Sequence, residues 1–310
     1  MSYEGDMLER LRMPDKTDVA QAVLRSLFYH NGTIKAFTDN EDIVVEIANE
    51  FELNEEQRTA ELETVYRKEN RIKKANLWNR LLFRAADVLA VKQLVSRPSD
   101  TAKLTGNKEW MLTELGYDTV LKQLHMPKEQ KENLPVRSYE VQKIVKTITA
   151  KPCPKSYSPI EQQKKSISLT TKEVKLRRRG FRQAVIEAYD FRCAICGLKL
   201  HIPLTQHWEV EAAHIVPHSV NGKDDVWNGI ALCHFHHWAF DVGWFAILDD
   251  FQIIPSKYAD SLDAQTGVMH GTSLFERFLV NNVHIQLPSN RNCFPHVNSL
   301  TWHRENIFAG

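Results

Sequence analysis

The apolar residues of the amino-terminal half recur at the spacing of amphipathic helices. Residues 17–30 carry such a stripe, which ends before Asn31-Gly32, a pair typical of a helix stop. Residues 42–51 predict a second helix, and a short third helix is expected within LNEEQRTAEL. The first part of the chain is therefore expected to be helical.

The longest periodic segment, residues 70–93, predicts one helix with a basic face. Its expected inward positions are Ile72, Leu77, Leu81 and Leu82, and its expected outward cations are Arg71, Lys73, Lys74 and Arg80. The chain then continues as LVSRP, the polar stretch DTAKLTGNK and EWMLTELGYDTVLKQL. This order predicts a strand, a loop and a returning strand after the helices.

The carboxy-terminal half has a different pattern. Residues 209–218, EVEAAHIVPH, alternate apolar and polar positions, which predicts a short strand carrying His214 near its end. Two Asn-Gly pairs in the following NGKDDVWNGIALC are typical of turns. The expected order is a strand with His214, a loop with Asn228 and a helix with His237.

Composition adds only broad limits. The 310 residues suit about two domains, and the 43% hydrophobic content is enough for their cores. A formal charge of +1 says little about partners. No apolar run reaches the roughly 18 residues of a membrane span, and the first residues lack the pattern of a signal peptide. We therefore expect an intracellular protein without a membrane span.

Local charge is more informative. Residues 172–180, KEVKLRRRG, set five cations against one acid, including Arg177, Arg178 and Arg179. Such a run is compatible with a solvated helix end or linker, but beside a nucleic-acid site it would supply phosphate contacts. Residues 127–165 are rich in Lys, Pro, Ser and Gln, which is typical of a linker, with room for a brief helix at VRSYEVQKIVKTI.

The cysteines point to a metal site. Cys193 and Cys196 have the two-residue gap that lets both sulfurs reach one zinc ion, although a redox pair has the same spacing. Cys233 and His236 repeat the gap, which completes a tetrahedral Cys₃His set of the structural kind. The alternative is that these are ordinary buried thiols. The other two cysteines are expected to be free thiols: Cys153 and Cys293.

Further candidate ligands follow the cysteines. His237 and Asp241 are four residues apart, so in a helix they share a face and could contact one hard cation. Taken alone, His214 could equally be a hydrogen-bonded core histidine, and Asp241 could only orient His237 or cap a neighbouring segment.

Together these motifs resemble a known family. The pair Cys193-X-X-Cys196, AAHIVP with His214, NGIALC with Asn228, and His237 followed by Asp241 resemble the HNH, or ββα-metal, nucleases. The resemblance is greatest to the branch found in modification-dependent restriction endonucleases, and it covers roughly residues 175–308.

The resemblance implies roles for the polar residues. His214 corresponds to the general base, Asn228 to the asparagine that fixes the loop over the active site, and His237 to a ligand of catalytic Mg²⁺ or Mn²⁺. Many members have a second metal ligand directly before the base, where this chain has Ala213. Asp241 is the preferred replacement, and Glu211 is weaker because on a regular strand it would face away from His214.

The amino-terminal half resembles another family. NRIKKANLWNRLLFRAADVL and WMLTELG are similar to the winged-helix domain of Mrr-type restriction proteins. The resemblance implies a wing at residues 97–109, which includes Lys103, and a recognition helix that starts at residue 70. Winged helices also serve as dimerisation and protein-interaction modules, and a basic helix face is often only solvated.

The sequence thus predicts an α+β chain: a winged helix-turn-helix domain at 1–126, a linker at 127–174 and a zinc-containing HNH domain at 175–310. We expect a metal-dependent restriction endonuclease of the bacterial cytoplasm that acts on double-stranded DNA, with homodimerisation as one route to cutting both strands. The alternative is a zinc-containing DNA-binding regulator without nuclease activity. The layout favours modified DNA without deciding it. The predicted DNA contacts are Arg71, Lys73, Lys74, Arg80, Lys103, Arg177, Arg178 and Arg179.

Overall fold

The structure, a computed structural model, describes residues 3–35, 37–38, 41–66, 71–161, 170–202, 206–258, 284–308 and 310. The chain divides into Met1–Gln142 and Lys143–Gly310, each with its own hydrophobic core. In the described ranges no helix has both the length and the apolar character that a membrane crossing demands.

The first unit combines helices with short strands. Its helices are α1 (Tyr3–Arg10), α2 (Lys16–Tyr29), α3 (Asp42–Glu50), α4 (Glu55–Thr59), α5 (Leu77–Val91), α6 (Pro98–Thr105) and α7 (Glu114–Gln123). Its strands are β1 (Thr33–Lys35), β2 (Glu61–Tyr66), β3 (Arg71–Asn76), β4 (Val95–Ser96) and β5 (Glu109–Leu112). Helix α8 (Tyr139–Thr149) crosses the division between the units, inside the expected linker.

The core of the first unit lies between α2 and α5 and a small sheet. Asp15 caps α2 by accepting a hydrogen bond from the backbone N–H of Thr17, and the buried face of α2 includes Leu24, Leu27 and Phe28. The sheet is antiparallel in the order β1-β5-β4. The strands expected on either side of residues 97–109 therefore do pair with each other.

The long helix expected at residues 70–93 is a strand followed by a shorter helix. Residues 71–76 form β3, which pairs with all six residues of β2. Asn76 then caps α5 by accepting from the backbone N–H of Asn79. Leu77, Leu81 and Leu82 are buried as predicted, but the expectation for Ile72 falls on a side chain outside the described part of the structure.

The predicted wing is also different from expectation. Most of residues 97–109 form α6, with Pro98 at the first helical position and Gly106 directly after the last residue. Proline and glycine at these two places are typical helix start and stop signals. Thr101 is buried in this helix and its hydroxyl bonds to the backbone of Glu109, so the segment folds onto the start of β5.

The second unit contains a ββα arrangement with supporting helices. Its helices after α8 are α9 (Thr171–Ala188), α10 (His234–Asp241) and α11 (Val297–Asn306). Its strands are β6 (His201–Ile202), β7 (His207–Trp208), β8 (Val210–His214), β9 (Gly229–Cys233), β10 (Phe245–Ile247) and β11 (Ile253–Pro255). The strand, loop and helix that the sequence predicts at residues 209–241 are therefore β8, the connection to β9, and α10.

Close packing fixes α9 against the hairpin of β8 and β9. The strands are antiparallel, and His214 pairs with Gly229 at the end of the ladder. A β-carbon on Gly229 would lie 2.4 Å from Val185 Cγ2 and 3.0 Å from the Phe181 ring, so α9 approaches closer than any other residue at this position would allow. Helix α9 is thus part of the same core as the hairpin.

Candidate active site

The four predicted zinc ligands come together. One ligand atom from each of Cys193, Cys196, Cys233 and His236 lies within 4.8 Å of all the others. His236 Nδ1 is 3.1 Å from Cys233 Sγ and 3.6 Å from Cys193 Sγ. Bond lengths of about 2.3 Å to sulfur and 2.0 Å to nitrogen put two ligands of a tetrahedral zinc about 3.5 Å apart. The cluster therefore fits Zn²⁺, and these residues could hold it.

Local backbone geometry builds this cluster. Gly197 has φ of +72°, and its N–H donates to Cys193 O, which folds the Cys-X-X-Cys segment into a tight turn. The N–H of Ala194 donates to Ala231 O, which ties that turn to β9. Hydrogen bonds from Cys196 and Cys233 hold the pKa of Cys193 well below its ordinary value, which favours the thiolate that binds zinc.

His214 is held from two sides. Its ring stacks on Phe181 of α9, with centroids 4.1 Å apart and 18° between the planes. Its Nε2 lies 3.0 Å from Oδ1 of Asp224. When Nε2 carries the proton and donates to that carboxylate, Nδ1 is the nitrogen left to accept one. The stacking and the hydrogen bond thus hold the His214 ring in place, and its role as a base stays a prediction.

Asp224 was not predicted as a site residue. Its side chain is 9% exposed, and its second oxygen is 3.7 Å from Arg177 Nε. Burial alone would raise the pKa of Asp224, but the hydrogen bond with His214 and the charges of His214, Arg177 and His218 lower it overall. The carboxylate is therefore charged and fixed beside the imidazole.

Asn228 fastens the loop that contains Asp224. It is fully buried, its Oδ1 accepts from the N–H of Val216, and its Nδ2 donates to Val216 O and Lys223 O. All its polar groups are thereby engaged with loop backbone. This geometry agrees with the loop-fixing role that the family resemblance implies for this residue.

His237 lies between two carboxylates. Its Nδ1 is 2.9 Å from Glu211 Oε2, and its Nε2 is 3.5 Å from Asp241 Oδ2. The expected sharing of a helix face by His237 and Asp241 is therefore observed. Glu211 was expected to be the weaker candidate, and it contacts the opposite side of the ring from Asp241. Carboxylates in that position commonly orient a metal-binding histidine.

The charges around His237 match this arrangement. The hydrogen bond with Glu211 raises the pKa of His237 in spite of its burial, and the same bond lowers the pKa of Glu211. Burial raises the pKa of Asp241, whose carboxylate also feels the charges of both His237 and His214. The charge environment of Asp241 thus includes both candidate imidazoles.

Fewer candidate metal ligands gather at His237 than at the Cys₃His cluster. Within the described ranges, the Cys₃His set alone gathers three or more ligand atoms this closely. His237 Nε2 and Asp241 supply two donors, an imidazole and a carboxylate, which suit Mn²⁺ and Mg²⁺ when water and phosphate oxygens complete the shell. The pair thus fits a divalent ion that binds together with substrate.

The predicted DNA contacts of the first unit have varied settings. Arg71 and Lys73 lie on β3 and not on a recognition helix. Lys74 also lies on β3 and pairs with Glu61 and Glu63, whereas Arg80 on α5 pairs with Glu4. Lys103 lies on α6 and its side chain is 80% exposed.

The predicted DNA contacts of the second unit lie on different faces of α9 and differ in exposure. Arg178 is exposed on α9, and Arg177 is half-buried beside Asp224. Arg179 is only 6% exposed, because its position on α9 faces the core, and its DNA contact stays a prediction. Arg182, which the sequence analysis did not select, is exposed one turn after Arg178.

Comparison with known proteins decides the class of the domain. Residues 193–248 match the family model described as HNH endonuclease. The chain carries an HNH endonuclease domain. The HNH match begins at the first zinc-cluster cysteine and includes His214, Asn228, His237 and Asp241. The match favours nuclease activity for this domain.

A distant structural likeness accompanies the HNH match. A solved chain titled "Modification dependent TagI restriction endonuclease" is 19% identical and covers 41% of this chain and 37% of its own, with a TM-score of 0.28. The chain therefore corresponds to little more than a third of that protein. No curated protein matches it.

Proposed function

We propose that this chain is a restriction endonuclease of the bacterial cytoplasm. Its amino-terminal unit reads double-stranded DNA and its HNH domain hydrolyses the phosphodiester. The observation that carries the catalytic part is the pair of histidines within the HNH match, each held by a carboxylate: His214 by Asp224 and His237 by Glu211. A DNA-binding regulator would need neither imidazole once the Cys₃His cluster holds zinc.

His214 acts as the general base. Because Nε2 is engaged by Asp224, Nδ1 takes the proton from a water molecule whose oxygen bonds to phosphorus. The bond from phosphorus to the 3′ oxygen breaks, and that oxygen takes a proton from a second water molecule, which leaves a 5′-phosphate, a 3′-hydroxyl and a hydroxide that the His214 imidazolium neutralises. The charge of Asp224 stabilises the imidazolium that forms on His214.

His237 and Asp241 would hold the catalytic cation. Mg²⁺ or Mn²⁺ bound by these residues would supply positive charge for the phosphate and for the departing 3′ oxygen. Glu211 fixes the ring of His237, and Asn228 fixes the loop that carries Asp224. Cys193, Cys196, Cys233 and His236 would hold a structural Zn²⁺, and such an ion would join the Cys-X-X-Cys turn to the start of α10.

The reader is proposed to be a winged helix in altered form. The support is the antiparallel sheet in the order β1-β5-β4, whose residues share one core with the helices α2, α3 and α5. With residues 71–76 in a hairpin, α5 becomes the candidate recognition helix. The hairpin of β2 and β3 and the helix α6 are then additions to the basic pattern.

A cavity of about 860 Å³ in the same unit supports the reading of modified DNA. Its lining includes the exposed aromatic ring of Phe83 and the amide of Asn79. A base turned out of the helix is recognised by stacking and by hydrogen bonds to its edge, and these side chains supply both kinds of contact.

Cleavage assays test the proposal. The purified protein would be incubated with plasmid from modifying and non-modifying hosts, with Mg²⁺, Mn²⁺ or EDTA. We expect cutting that depends on the metal, and about a hundredfold or greater loss in His214→Ala, because general bases contribute rate factors of that order. Undiminished cutting by His214→Ala would contradict the role of His214 as general base. DNA binding without cutting under every condition would favour a DNA-binding regulator without nuclease activity.

A further inference from the structure

Helix α9 lies outside the HNH match yet borders the candidate base. The match begins at residue 193, whereas α9 spans Thr171–Ala188. Phe181 of this helix stacks on His214, and its neighbour Val185 packs on Gly229. These contacts fix the position of α9 relative to the imidazole.

Two arginines of α9 line a cavity with that imidazole. The cavity has a volume of about 370 Å³ and is lined by Arg178, Phe181, Arg182, His214 and His218. Arg178, Phe181 and Arg182 are three and four residues apart and therefore share one face of the helix. Both arginines are exposed, so the face presents positive charge to a space large enough for a phosphodiester.

Arg182 extends this positive charge toward the cation ligands. Its charge acts on both Glu211 and His237. Three carboxylates lie beside the two candidate histidines: Asp224 beside His214, and Glu211 and Asp241 beside His237. Without nearby cations they would repel a DNA phosphate.

The residue before His214 makes this cationic help more important. That position is the buried Ala213, and the described residues offer the cation His237 and Asp241. With few protein ligands on the metal, hydrogen-bond donors must carry a larger share of the charge that develops on phosphate. A guanidinium suits this task because it stays charged and donates in a planar fork to phosphate oxygens.

We propose that Arg182 is a catalytic residue that binds a non-bridging oxygen of the scissile phosphate, and that Arg178 and His218 bind a neighbouring phosphate of the same strand. The inference rests on the proposed nuclease function and adds residues outside the matched segment. Arg182 stabilises the extra negative charge of the pentacovalent state, and Arg178 positions the strand in the cavity.

Cleavage by the full-length protein tests Arg182. The substrates would be plasmid DNA and bis(p-nitrophenyl) phosphate, a diester that makes no DNA contacts. We expect Arg182→Ala to lower kcat about a hundredfold on both, as loss of one oxyanion donor does. Arg182→Lys should retain part of the rate, and added guanidinium should partly restore Arg182→Ala. A kcat for Arg182→Ala within about twofold of wild type would overturn the proposal.

DNA binding tests both arginines independently of cleavage. With EDTA present, the affinity for a linear unmodified duplex would be measured against salt concentration. Each of Arg178→Ala and Arg182→Ala should reduce the slope of log K against log salt by about one, because each removes one phosphate contact. Arg178→Ala should also raise KM about tenfold with little change in kcat.

A matched control separates these effects from general loss of charge or folding. Arg291 is an exposed arginine of the same unit that does not line the cavity, so Arg291→Ala should change neither slope nor kcat. Zinc content and melting temperature should be equal in all variants. Unchanged slopes in Arg178→Ala and Arg182→Ala would contradict the proposal even if the protein fails to cut DNA. If the two variants show reduced slopes but the wild type does not cut, only the nuclease function would be contradicted.

Discussion

At the scale of single residues, His214 and His237 each have one ring nitrogen committed to a carboxylate. Asp224 takes Nε2 of His214, and Glu211 takes Nδ1 of His237. In the proposed mechanism the other nitrogen of each ring does the chemistry, Nδ1 of His214 as a proton acceptor and Nε2 of His237 as a cation ligand. The carboxylates thereby determine which chemistry each histidine can perform.

Glu211→Gln should weaken the binding of the catalytic cation. The amide cannot hold His237 with the charge of the carboxylate, and loss of such partners typically costs ten- to a hundredfold in metal affinity. The Mn²⁺ concentration that gives half-maximal cleavage should rise by about that factor, with zinc content unchanged. The matched control is Glu209→Gln, since Glu209 pairs with His234 instead. Equal Mn²⁺ dependence in wild type and Glu211→Gln would exclude this orienting role.

His303 should make the second unit sensitive to acid. Burial lowers its pKa to about 4, with the charge of Arg304 acting in the same direction and the hydrogen bond to Phe240 O against it. An unfolded histidine titrates near 6.5, so this stability is present above that pH and is lost as the pH falls toward 4. Between pH 7 and pH 5 the loss should be about 2 kcal/mol.

Urea unfolding at the two pH values measures this loss. In His303→Gln the side chain keeps an N–H donor for Phe240 O but does not titrate. The variant should therefore show a smaller drop in unfolding free energy than wild type over the same interval. A drop of equal size in both proteins would assign the acid sensitivity to other groups.

The residues that sequence could predict are those marked by regular spacing. The Cys-X-X-Cys and Cys-X-X-His gaps and the four-residue step from His237 to Asp241 come from local geometry, which short motifs encode. Asp224 meets His214 through a folded loop, and nothing in NGKDDVW distinguishes it from Asp225. Glu211 meets His237 from a different element, 26 positions away. Contacts of this kind have no characteristic sequence spacing from which they could be predicted.

At the scale of elements, the Cys₃His cluster connects two segments that are distant in the sequence. Cys193 and Cys196 belong to a turn, whereas Cys233 and His236 lie at the junction of β9 and α10. That junction also sets the direction of α10, and therefore the position of His237. The cluster thus supports the active site through the first turn of one helix.

Cys193→Ser should unfold the second unit and release its zinc. The binding free energy of a structural zinc is about 10–16 kcal/mol in small domains, more than the core of a single domain usually supplies. The zinc content should fall from about one ion per chain to near zero. The melting transition of the second unit should disappear in calorimetry. Cys153→Ser, at an exposed cysteine, is the control, and an unchanged melt in Cys193→Ser would refute the structural assignment.

Strand β3 was predicted from the sequence as part of a helix, and this prediction is wrong. In NRIKKAN the apolar residues Ile72 and Ala75 are three apart, which fits a helix, but their segment pairs with residues 61–66. Pairing with another segment is a nonlocal contact that overrides local periodicity. The asparagine cap at residue 76, a helix start signal, marks the true beginning of α5.

At the scale of the whole molecule, the two units have cores with no residue in common. Residues 19–136 supply one core and residues 157–300 supply the other. The described residues provide one HNH site for the chain, so one copy can attack one strand at a time. Cutting of both strands then needs a second copy or two successive events.

Plasmid cleavage should therefore proceed through a nicked circle. If two copies cooperate, the rate of linearisation should rise more steeply than the rate of nicking as protein concentration increases. Addition of excess His214→Ala protein should then convert linear product into nicked product. Linearisation without any nicked intermediate, at a rate proportional to concentration, would show that a single copy cuts both strands.

The close approach of α9 at Gly229 has a consequence for protein engineering. A chimaera that transplanted only the segment recognised as HNH would leave behind Phe181 and Val185, which cover the start of β9, and the α11 residue Leu300. The graft would expose the underside of its own hairpin to solvent. A transferable cutting module has to run from the cap of α9 at Thr170 through the end of α11 at Asn306.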